Sequence, residues 1–177
     1  MSLGEWTKLR HEFGKVMYEL MQKDDKVYLI CGDIGFGIFN DLRSDPKTKD
    51  RFLNIGINEQ AMIGVAAGMA LSGLKPWVYT ITPFLIERPF EQVKLDIDQQ
   101  KANVKLVGYA DYPSQGPTHA EIITPRKAEQ LFTNIVCYLP RNSEHTRMIV
   151  ESEHKINGPA FISLKKDREE IENGNKV

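Results

Sequence analysis

Cysteine is scarce in this sequence, which contains only two among its 177 residues. Cys31 and Cys137 each lie inside an apolar run, and no metal-ligand spacing connects them to the four histidines. A disulfide framework or a zinc site would need more cysteines or a recognisable spacing. We therefore interpret both as reduced core residues rather than as a redox or metal centre.

An excess of one charge and long hydrophobic runs are also missing. Lysine and arginine together number 23, against 24 for aspartate and glutamate, which argues against a polyanionic partner. No apolar run approaches the roughly 20 residues of a membrane-spanning helix, and no secretion signal opens the chain. The sequence thus predicts a soluble, cytoplasmic protein with no nucleic-acid partner and no membrane partner.

Short apolar segments alternate with segments of helical periodicity. The strand candidates are residues 26–31, 51–55, 76–81, 103–109, 134–139 and 159–165. The helix candidates are residues 5–23, 58–72, 87–100, 125–133 and 143–156. Strands that are apolar throughout are typical of a parallel sheet covered on both faces. We predict a doubly wound α/β fold, with a mostly parallel six-stranded sheet and helices on both faces.

The length fits a single domain. No linker, internal repeat or low-complexity block interrupts residues 1–165, which we assign to one domain. The last segment, residues 166–177, is rich in charge and is predicted to be a frayed tail.

Loops that follow strands carry most of the functional expectation, because ligands of parallel sheets bind at the carboxyl ends of the strands. The first such loop, residues 32–37, is glycine-rich, but its spacing matches neither a dinucleotide motif nor a P-loop. Its Asp33 either contacts a ligand or caps the short helix predicted at residues 38–43. Spacing alone does not separate these two roles.

The second loop ends in Asn58 and Glu59, ahead of a helix built almost entirely from small and apolar residues. Asn58 is a candidate N-cap, and Glu59 in the first turn is favoured by the helix dipole without any further role. The small residues also suggest burial within the domain or at a subunit interface. A buried carboxylate has a raised pKa, which suits a group that transfers a proton to a ring nitrogen.

Four motifs, in order, carry a family resemblance: GINEQ (56–60), AAGMAL (66–71), TPFL..R.FEQ (82–92) and GPTH (116–119). Their combination resembles the pyrimidine-binding domain of the transketolase family of thiamine diphosphate enzymes, which includes deoxyxylulose phosphate synthase. The resemblance extends over about residues 8–165. It implies the thiamine diphosphate-binding fold, in agreement with the doubly wound architecture expected from the strand pattern.

The resemblance implies roles for particular residues. Glu59 matches the family glutamate that bonds ring nitrogen N1′ of the cofactor's aminopyrimidine and promotes its imino tautomer. Phe84 and Arg88, with Phe90 behind them, match the segment that flanks the pyrimidine, although ordinary core packing is the alternative for the two aromatic residues. His119 matches a histidine that faces the reacting carbons and polarises or protonates a substrate oxygen.

Two loop residues bear on the cofactor and the substrate. The family often has an aspartate at the position of Asp33 that contacts the cofactor, which favours a ligand role for this residue. Many relatives have an aspartate immediately before GPTH that reads a substrate hydroxyl. This chain has Gln115 there, an uncharged donor and acceptor, so the choice of substrate does not follow from the motif.

Full-length family members also carry a diphosphate-binding domain with a magnesium-binding GDG motif, and a third domain. The GDIG sequence at residues 32–35 does not qualify, because Ile34 replaces the second glycine. The resemblance therefore implies half of a composite site, whose Mg²⁺ ligands come from an N-terminal-type, diphosphate-binding partner subunit. We expect a homodimer or an α2β2 heterotetramer, with the helix after Glu59 at the interface and no activity for the chain alone.

The implied activity is that of a transferase in carbohydrate metabolism, which moves a two-carbon ketol or acyl unit between sugar phosphates or 2-oxo acids. Two alternatives stay open at this point. The chain could be a subunit of a thiamine-dependent 2-oxo acid decarboxylase or synthase. It could also be a catalytically idle partner that kept the fold for assembly or regulation.

Overall fold

The computed structural model describes residues 8–109 and 115–164. The predicted tail at residues 166–177 lies outside the described residues, as does the start of the predicted first helix. The helices are α1 (Lys8–Lys23), α2 (Asn40–Ser44), α3 (Glu59–Leu71), α4 (Thr82–Ile86), α5 (Phe90–Gln92), α6 (Pro125–Leu131) and α7 (Ser143–Glu153). The strands are β1 (Val27–Cys31), β2 (Phe52–Asn54), β3 (Lys75–Ile81), β4 (Lys105–Tyr109), β5 (Val136–Tyr138) and β6 (Ala160–Leu164). Within these ranges, no helix has the length and apolar character needed to cross a bilayer.

The strands form one six-stranded sheet in the order β2-β1-β3-β4-β6-β5, and every pair of neighbouring strands is parallel. This confirms the predicted doubly wound α/β fold. The strand order reverses direction at β1, because β2 lies on one side of it and β3 on the other. A crevice opens at the carboxyl end of such a reversal, and this is where parallel sheets bind ligands.

Apolar side chains that alternate along the strands pack into two cores, one on each face of the sheet. On β1, Leu29 and Cys31 belong to the core that α1 and α7 cover, while Ile30 belongs to the opposite core with α3 and α6. This is the period-two alternation of a strand with both faces buried. The fully buried Cys31 agrees with the core assignment from sequence, whereas Cys137 is only half-buried.

The predicted helix at residues 87–100 is wrong in its extent. A separate helix, α4, begins at Thr82 directly after β3, with Pro83 in its first turn. Proline is tolerated there because the N–H groups of the first turn make no hydrogen bond within the helix. Pro89 then precedes α5, and the chain continues as a π-helical segment, Val93–Gln99. The sequence showed TPFLIERPF as a loop because its two prolines mask a five-residue helix.

The π-helical segment holds one buried carboxylate that organises the approach to β5. Asp98 accepts hydrogen bonds from the backbone N–H groups of Thr133 at 3.1 Å, Asn134 at 2.7 Å and Ile135 at 3.1 Å. Asp98 is only 5% exposed. The carboxylate therefore fixes the chain between α6 and β5.

Replacing Asp98 with alanine is expected to lower the free energy of unfolding by about 2 to 3 kcal/mol, because buried N–H groups would lose their acceptor. Urea denaturation would measure the change. Asp96→Ala, on the same π-helical segment, is the matched control and should stay within about 0.5 kcal/mol of the wild type. Equal stability of the two variants would show that the Asp98 hydrogen bonds do not organise this segment.

Candidate functional site

Three segments that each follow a strand lie together at the carboxyl ends of the strands. The start of α3 follows β2, α4 follows β3, and a 3₁₀ turn, Pro117–His119, comes after β4. These segments carry most of the residues that the motifs singled out. Their side chains therefore meet at one edge of the sheet.

Glu59 is the first residue of α3, and its side chain is only 6% exposed. Arg88 Nη1 donates a hydrogen bond to Glu59 Oε1 at 2.9 Å. Asn58 occupies the N-cap position, as predicted, but its side chain makes no capping hydrogen bond. The carboxylate is therefore held by an ion pair at the head of a mostly apolar helix, and a buried carboxylate needs such a partner.

The guanidinium of Arg88 also lies over the ring of Phe84, with 3.5 Å between the guanidinium carbon and the ring centroid. The ring of His119 also contacts Phe84, edge to face, with 4.8 Å between the two ring centroids. Thr118 Oγ1 lies 3.1 Å from His119 Nδ1. The structure thus brings four predicted site residues together in the order Glu59, Arg88, Phe84, His119.

Phe90 does not join this group. Its ring packs against Phe132, with 5.6 Å between the centroids, at the margin of the core beneath α3. This contact corresponds to the core-packing alternative that the sequence left open for Phe90. Its role toward a cofactor stays a prediction.

Asp33 lies in the loop after β1 with a left-handed backbone, at φ 54°. Its N–H donates to Asn54 Oδ1 at 3.0 Å, and Asn54 Nδ2 donates back to Asp33 Oδ1 at 3.3 Å. The alternative that Asp33 caps a helix is wrong, because α2 begins at Asn40 with Phe39 at the N-cap and no side-chain cap. Asp33 is exposed at the same edge of the sheet as Glu59, and it is bonded to Asn54, the last residue of β2, which the sequence did not single out.

Two threonines near the carboxyl end of β3 are buried. Thr80 and Thr82 are both 1% exposed, and in the described part of the chain their Oγ1 atoms have no hydrogen-bond partner. A Cβ atom at Gly108 would lie 2.6 Å from Thr82 Oγ1, so only glycine lets α4 begin this close to β4.

Residues 7–169 match the family described as the transketolase pyrimidine-binding domain. The chain belongs to this family. The resemblance inferred from the four motifs is therefore confirmed, and the group around Glu59 lies in the segments that carry those motifs.

Relatives of this pyrimidine-binding domain include subunits of split transketolases. The chain is 38% identical to one of the subunits of the apulose-4-phosphate transketolase of Actinobacillus succinogenes over 128 residues, which are 70% of this chain and 41% of the relative. It is 25% identical to a putative transketolase C-terminal section of Methanocaldococcus jannaschii over 173 residues, which are 95% of this chain and 54% of the relative. The chain thus spans about half or less of the length of these relatives.

A solved structure is also similar to this pyrimidine-binding domain. It is described as a split gene transketolase, an inactive beta4 tetramer, and it superposes with a TM-score of 0.75 at 29% identity. The match covers 90% of this chain and 52% of that one. The doubly wound sheet of this chain is therefore the architecture of a transketolase pyrimidine-binding domain.

The sequence did not single out Glu87, whose hydrogen bonds connect two segments of the candidate site of this pyrimidine-binding domain. Its Oε1 atom accepts hydrogen bonds from the N–H groups of Ile122 and of Ile123, the latter at 2.8 Å. The carboxylate thus links the end of α4 to the segment that follows His119. The only sign of Glu87 in the sequence is its position between two motif residues. The spacing of residues does not predict its hydrogen bond to Ile122, which lies 35 residues further along the chain.

Glu87→Ala is expected to raise the hydrogen–deuterium exchange rates of the Ile122 and Ile123 amides about tenfold, because both lose a charged acceptor. Two-dimensional NMR would follow the two amides. Glu87→Gln retains a carbonyl acceptor and should show a smaller change. The exposed Glu91→Ala is the control, and exchange as slow in Glu87→Ala as in this control would contradict the positioning role.

The other three histidines, His11, His145 and His154, fall on segments with helical periodicity, a pattern that predicts surface positions. This is correct for His11, which is exposed. It is wrong for His154, whose side chain is only 16% exposed and whose Nε2 atom lies 3.4 Å from Asp24 Oδ2. Burial, followed by the charge of Lys75, lowers the pKa of His154. His145 is half-buried, and its Nδ1 atom accepts a hydrogen bond from the N–H of Arg141.

Proposed function

We propose that the chain is the pyrimidine-binding part of a thiamine diphosphate-dependent, transketolase-like transferase. The proposed reaction moves a two-carbon ketol or acyl unit between sugar phosphates or 2-oxo acids. The observation that carries the proposal is the buried Glu59 carboxylate at the carboxyl end of the strands, which is paired with Arg88, whose guanidinium in turn lies over the Phe84 ring. Family membership and the similarity to transketolase subunits support it.

The residues present fit an aminopyrimidine. Its recognition needs a carboxylate for the ring nitrogen and an aromatic face for the ring, and Glu59 and Phe84 supply these on either side of one guanidinium group. When bound, thiamine diphosphate would supply the carbon nucleophile and the electron sink of the reaction. Glu59 would hold or donate the proton at ring nitrogen N1′, in a site where burial strengthens the hydrogen bond.

His119 is the candidate for proton exchange with a substrate oxygen. Its Nδ1 atom lies beside the Thr118 hydroxyl, which assigns the exchange to Nε2. The edge-on contact with Phe84 fixes the orientation of the ring. In this proposal His119 is the general acid or base at the far end of the group of residues that begins with Glu59.

The proposal includes a partner subunit that binds the diphosphate and Mg²⁺. Among the described residues, no group of three or more histidine, cysteine, aspartate or glutamate side chains could hold a metal ion. The outer face of α3 exposes Val65 and Leu71 beside Gly64 and Gly68, and Ile57 precedes it with 71% exposure. This apolar face is the proposed interface of a homodimer or an α2β2 assembly. A cytoplasmic location and a place in carbohydrate metabolism belong to the same proposal.

Calorimetry tests the composite site directly. Thiamine diphosphate with Mg²⁺ would be titrated into this chain alone, and then into the complex with a co-expressed diphosphate-binding subunit. Binding confined to the complex is the expected result, since each component would supply half of the contacts. No binding in either titration would overturn the proposal, and full binding by the chain alone would remove the need for a partner.

A further inference from the structure

The turn between α7 and β6 contains an asparagine followed by a glycine. Within residues 8–109 and 115–164, Asn157 is the only asparagine with glycine after it, and it is exposed. Asparagine in such a pair can lose its side-chain amide spontaneously, because the backbone nitrogen of the next residue attacks the side-chain carbonyl carbon. Glycine favours this attack, since it has no Cβ atom to hinder the approach. The turn therefore carries a reactive pair of residues at the surface.

The reaction consumes only water. The Gly158 nitrogen forms a bond to Cγ of Asn157, and its proton leaves with the side-chain nitrogen as ammonia, which gives a succinimide ring. Water then opens the ring at one of its carbonyl carbons. One opening yields aspartate, and the other yields isoaspartate, whose backbone runs through the former side chain. The net change is the exchange of an amide nitrogen for an oxygen, with no oxidant or reductant.

Three hydrogen bonds hold the backbone around Asn157. The N–H of Gly158 donates to Asn103 Oδ1 at 3.2 Å. The buried ammonium of Lys105 donates to the carbonyl oxygens of Ile156 at 3.1 Å and of Gly158 at 2.6 Å. The peptide units on both sides of Asn157 are thereby attached to β4 and to the segment that precedes it.

These hydrogen bonds oppose the closure of the succinimide ring. The attacking nitrogen must lose its proton, and Asn103 Oδ1 is a neutral amide oxygen that binds this proton without removing it. The nitrogen must also turn toward Asn157 Cγ, whereas Lys105 holds the neighbouring carbonyl groups in place. A folded protein opens such a turn only at the free-energy cost of the contacts that break. The rate of deamidation therefore depends on the contact with Asn103.

We propose that Asn157 is a site of spontaneous deamidation and that Asn103 slows the reaction by holding the attacking nitrogen. The inference is independent of the proposed function, since the turn precedes β6 and lies at the amino ends of the strands, opposite to the candidate site. Isoaspartate at position 157 lengthens the backbone ahead of Gly158, whose carbonyl oxygen is bonded to Lys105. The modification thus weakens the contacts of the buried Lys105 ammonium.

Incubation of the full chain in mildly alkaline buffer, followed by peptide mapping with mass spectrometry, would measure the rate of deamidation at Asn157. We expect Asn103→Ala to react about tenfold faster than the wild type, because the free energy of one hydrogen bond no longer opposes opening. Asn103→Asp is the matched control. It keeps an acceptor oxygen at this position and should react as slowly as the wild type. Equal rates in the wild type and in Asn103→Ala would overturn the role of Asn103.

A comparison of the native and the urea-denatured wild type needs no variant. In urea, Asn157 should react about as fast as Asn173, which glycine also follows and which lies outside the described residues. In the native chain Asn157 should react more slowly than it does in urea. A native rate equal to the denatured rate would overturn protection by the turn, and no reaction at Asn157 in urea would overturn the site itself.

The effect of the product on stability gives a further readout. Chains that have aged to isoaspartate should unfold at a lower urea concentration than Asn157→Asp, which carries the same new charge on a backbone of normal length. The difference isolates the displaced backbone from the added charge. Identical unfolding of the aged chain and of Asn157→Asp would contradict the proposed effect on the Lys105 contacts.

Discussion

In the proposed complex with a diphosphate-binding subunit, replacing Glu59 with glutamine is expected to lower turnover by roughly 10²- to 10⁴-fold, the usual loss when an acid–base group is removed. Glutamine has nearly the shape of glutamate, and its carbonyl oxygen can still accept the hydrogen bond from Arg88 that Oε1 accepts now. What it cannot do is exchange a proton with a ring nitrogen. The substitution therefore separates the proton role of Glu59 from its structural role.

Steady-state kinetics and calorimetry on the same preparation would check this prediction. Cofactor binding should weaken far less than turnover falls, since the amide still offers a hydrogen bond to the pyrimidine. Glu91→Gln, an exposed substitution on α5, is the control and should leave both quantities unchanged. A turnover close to wild type in Glu59→Gln would favour the catalytically idle partner and return Glu59 to the role of a helix-start carboxylate.

The largest effect on stability is expected at Lys105, the first residue of β4. It lies at the amino ends of the strands, opposite to the candidate site. Its Nζ atom donates to Glu153 Oε2 at 2.9 Å, and to the carbonyl oxygens of Ile156 at 3.1 Å and Gly158 at 2.6 Å. The Lys105 and Glu153 side chains are 4% and 3% exposed. Burial lowers the pKa of Lys105, and the hydrogen bond with Glu153 opposes this shift. The ammonium thus satisfies three acceptors, one of them the buried Glu153 carboxylate.

Lys105→Met should therefore lower the free energy of unfolding by about 3 to 5 kcal/mol, the usual cost of leaving one member of a buried ion pair alone. Chemical denaturation would measure it, with the exposed Lys94→Met as the matched control. Adding Glu153→Gln to Lys105→Met should recover part of the loss, because the second change removes the unpaired charge. A loss below about 1 kcal/mol for Lys105→Met would show that the pair contributes little beyond hydrophobic packing.

The fold could be predicted from sequence because its signals are local. Strands such as VYLIC (27–31) and AFISL (160–164) are almost entirely apolar, and the structure buries both almost completely in a parallel sheet. Helix starts were equally local, as at Thr124, whose side chain accepts from the N–H of Lys127 ahead of α6. The short helix α4 was missed, because a five-residue helix between prolines shows no periodicity.

The site was predictable only in part. The motifs pointed to Glu59, Phe84, Arg88 and His119. In the structure Glu59 contacts Arg88, Arg88 contacts Phe84, and Phe84 contacts His119. The same reasoning gave no information on Glu87, Thr80 or Thr82. Their importance depends on contacts with segments distant in the chain, which a single sequence does not encode as a pattern.

The sequence by itself determined the fold class, the family and the identity of the residues at the crevice, because apolar periodicity and motif order are properties of neighbouring positions. Only the tertiary structure decided which atoms these residues contact. It paired the Glu59 carboxylate with Arg88, placed Phe90 against Phe132 and placed the half-buried His154 beside Asp24. The physical reason is that pairing, burial and solvation depend on distances between segments brought together by the sheet, and electrostatic and packing energies change steeply with those distances.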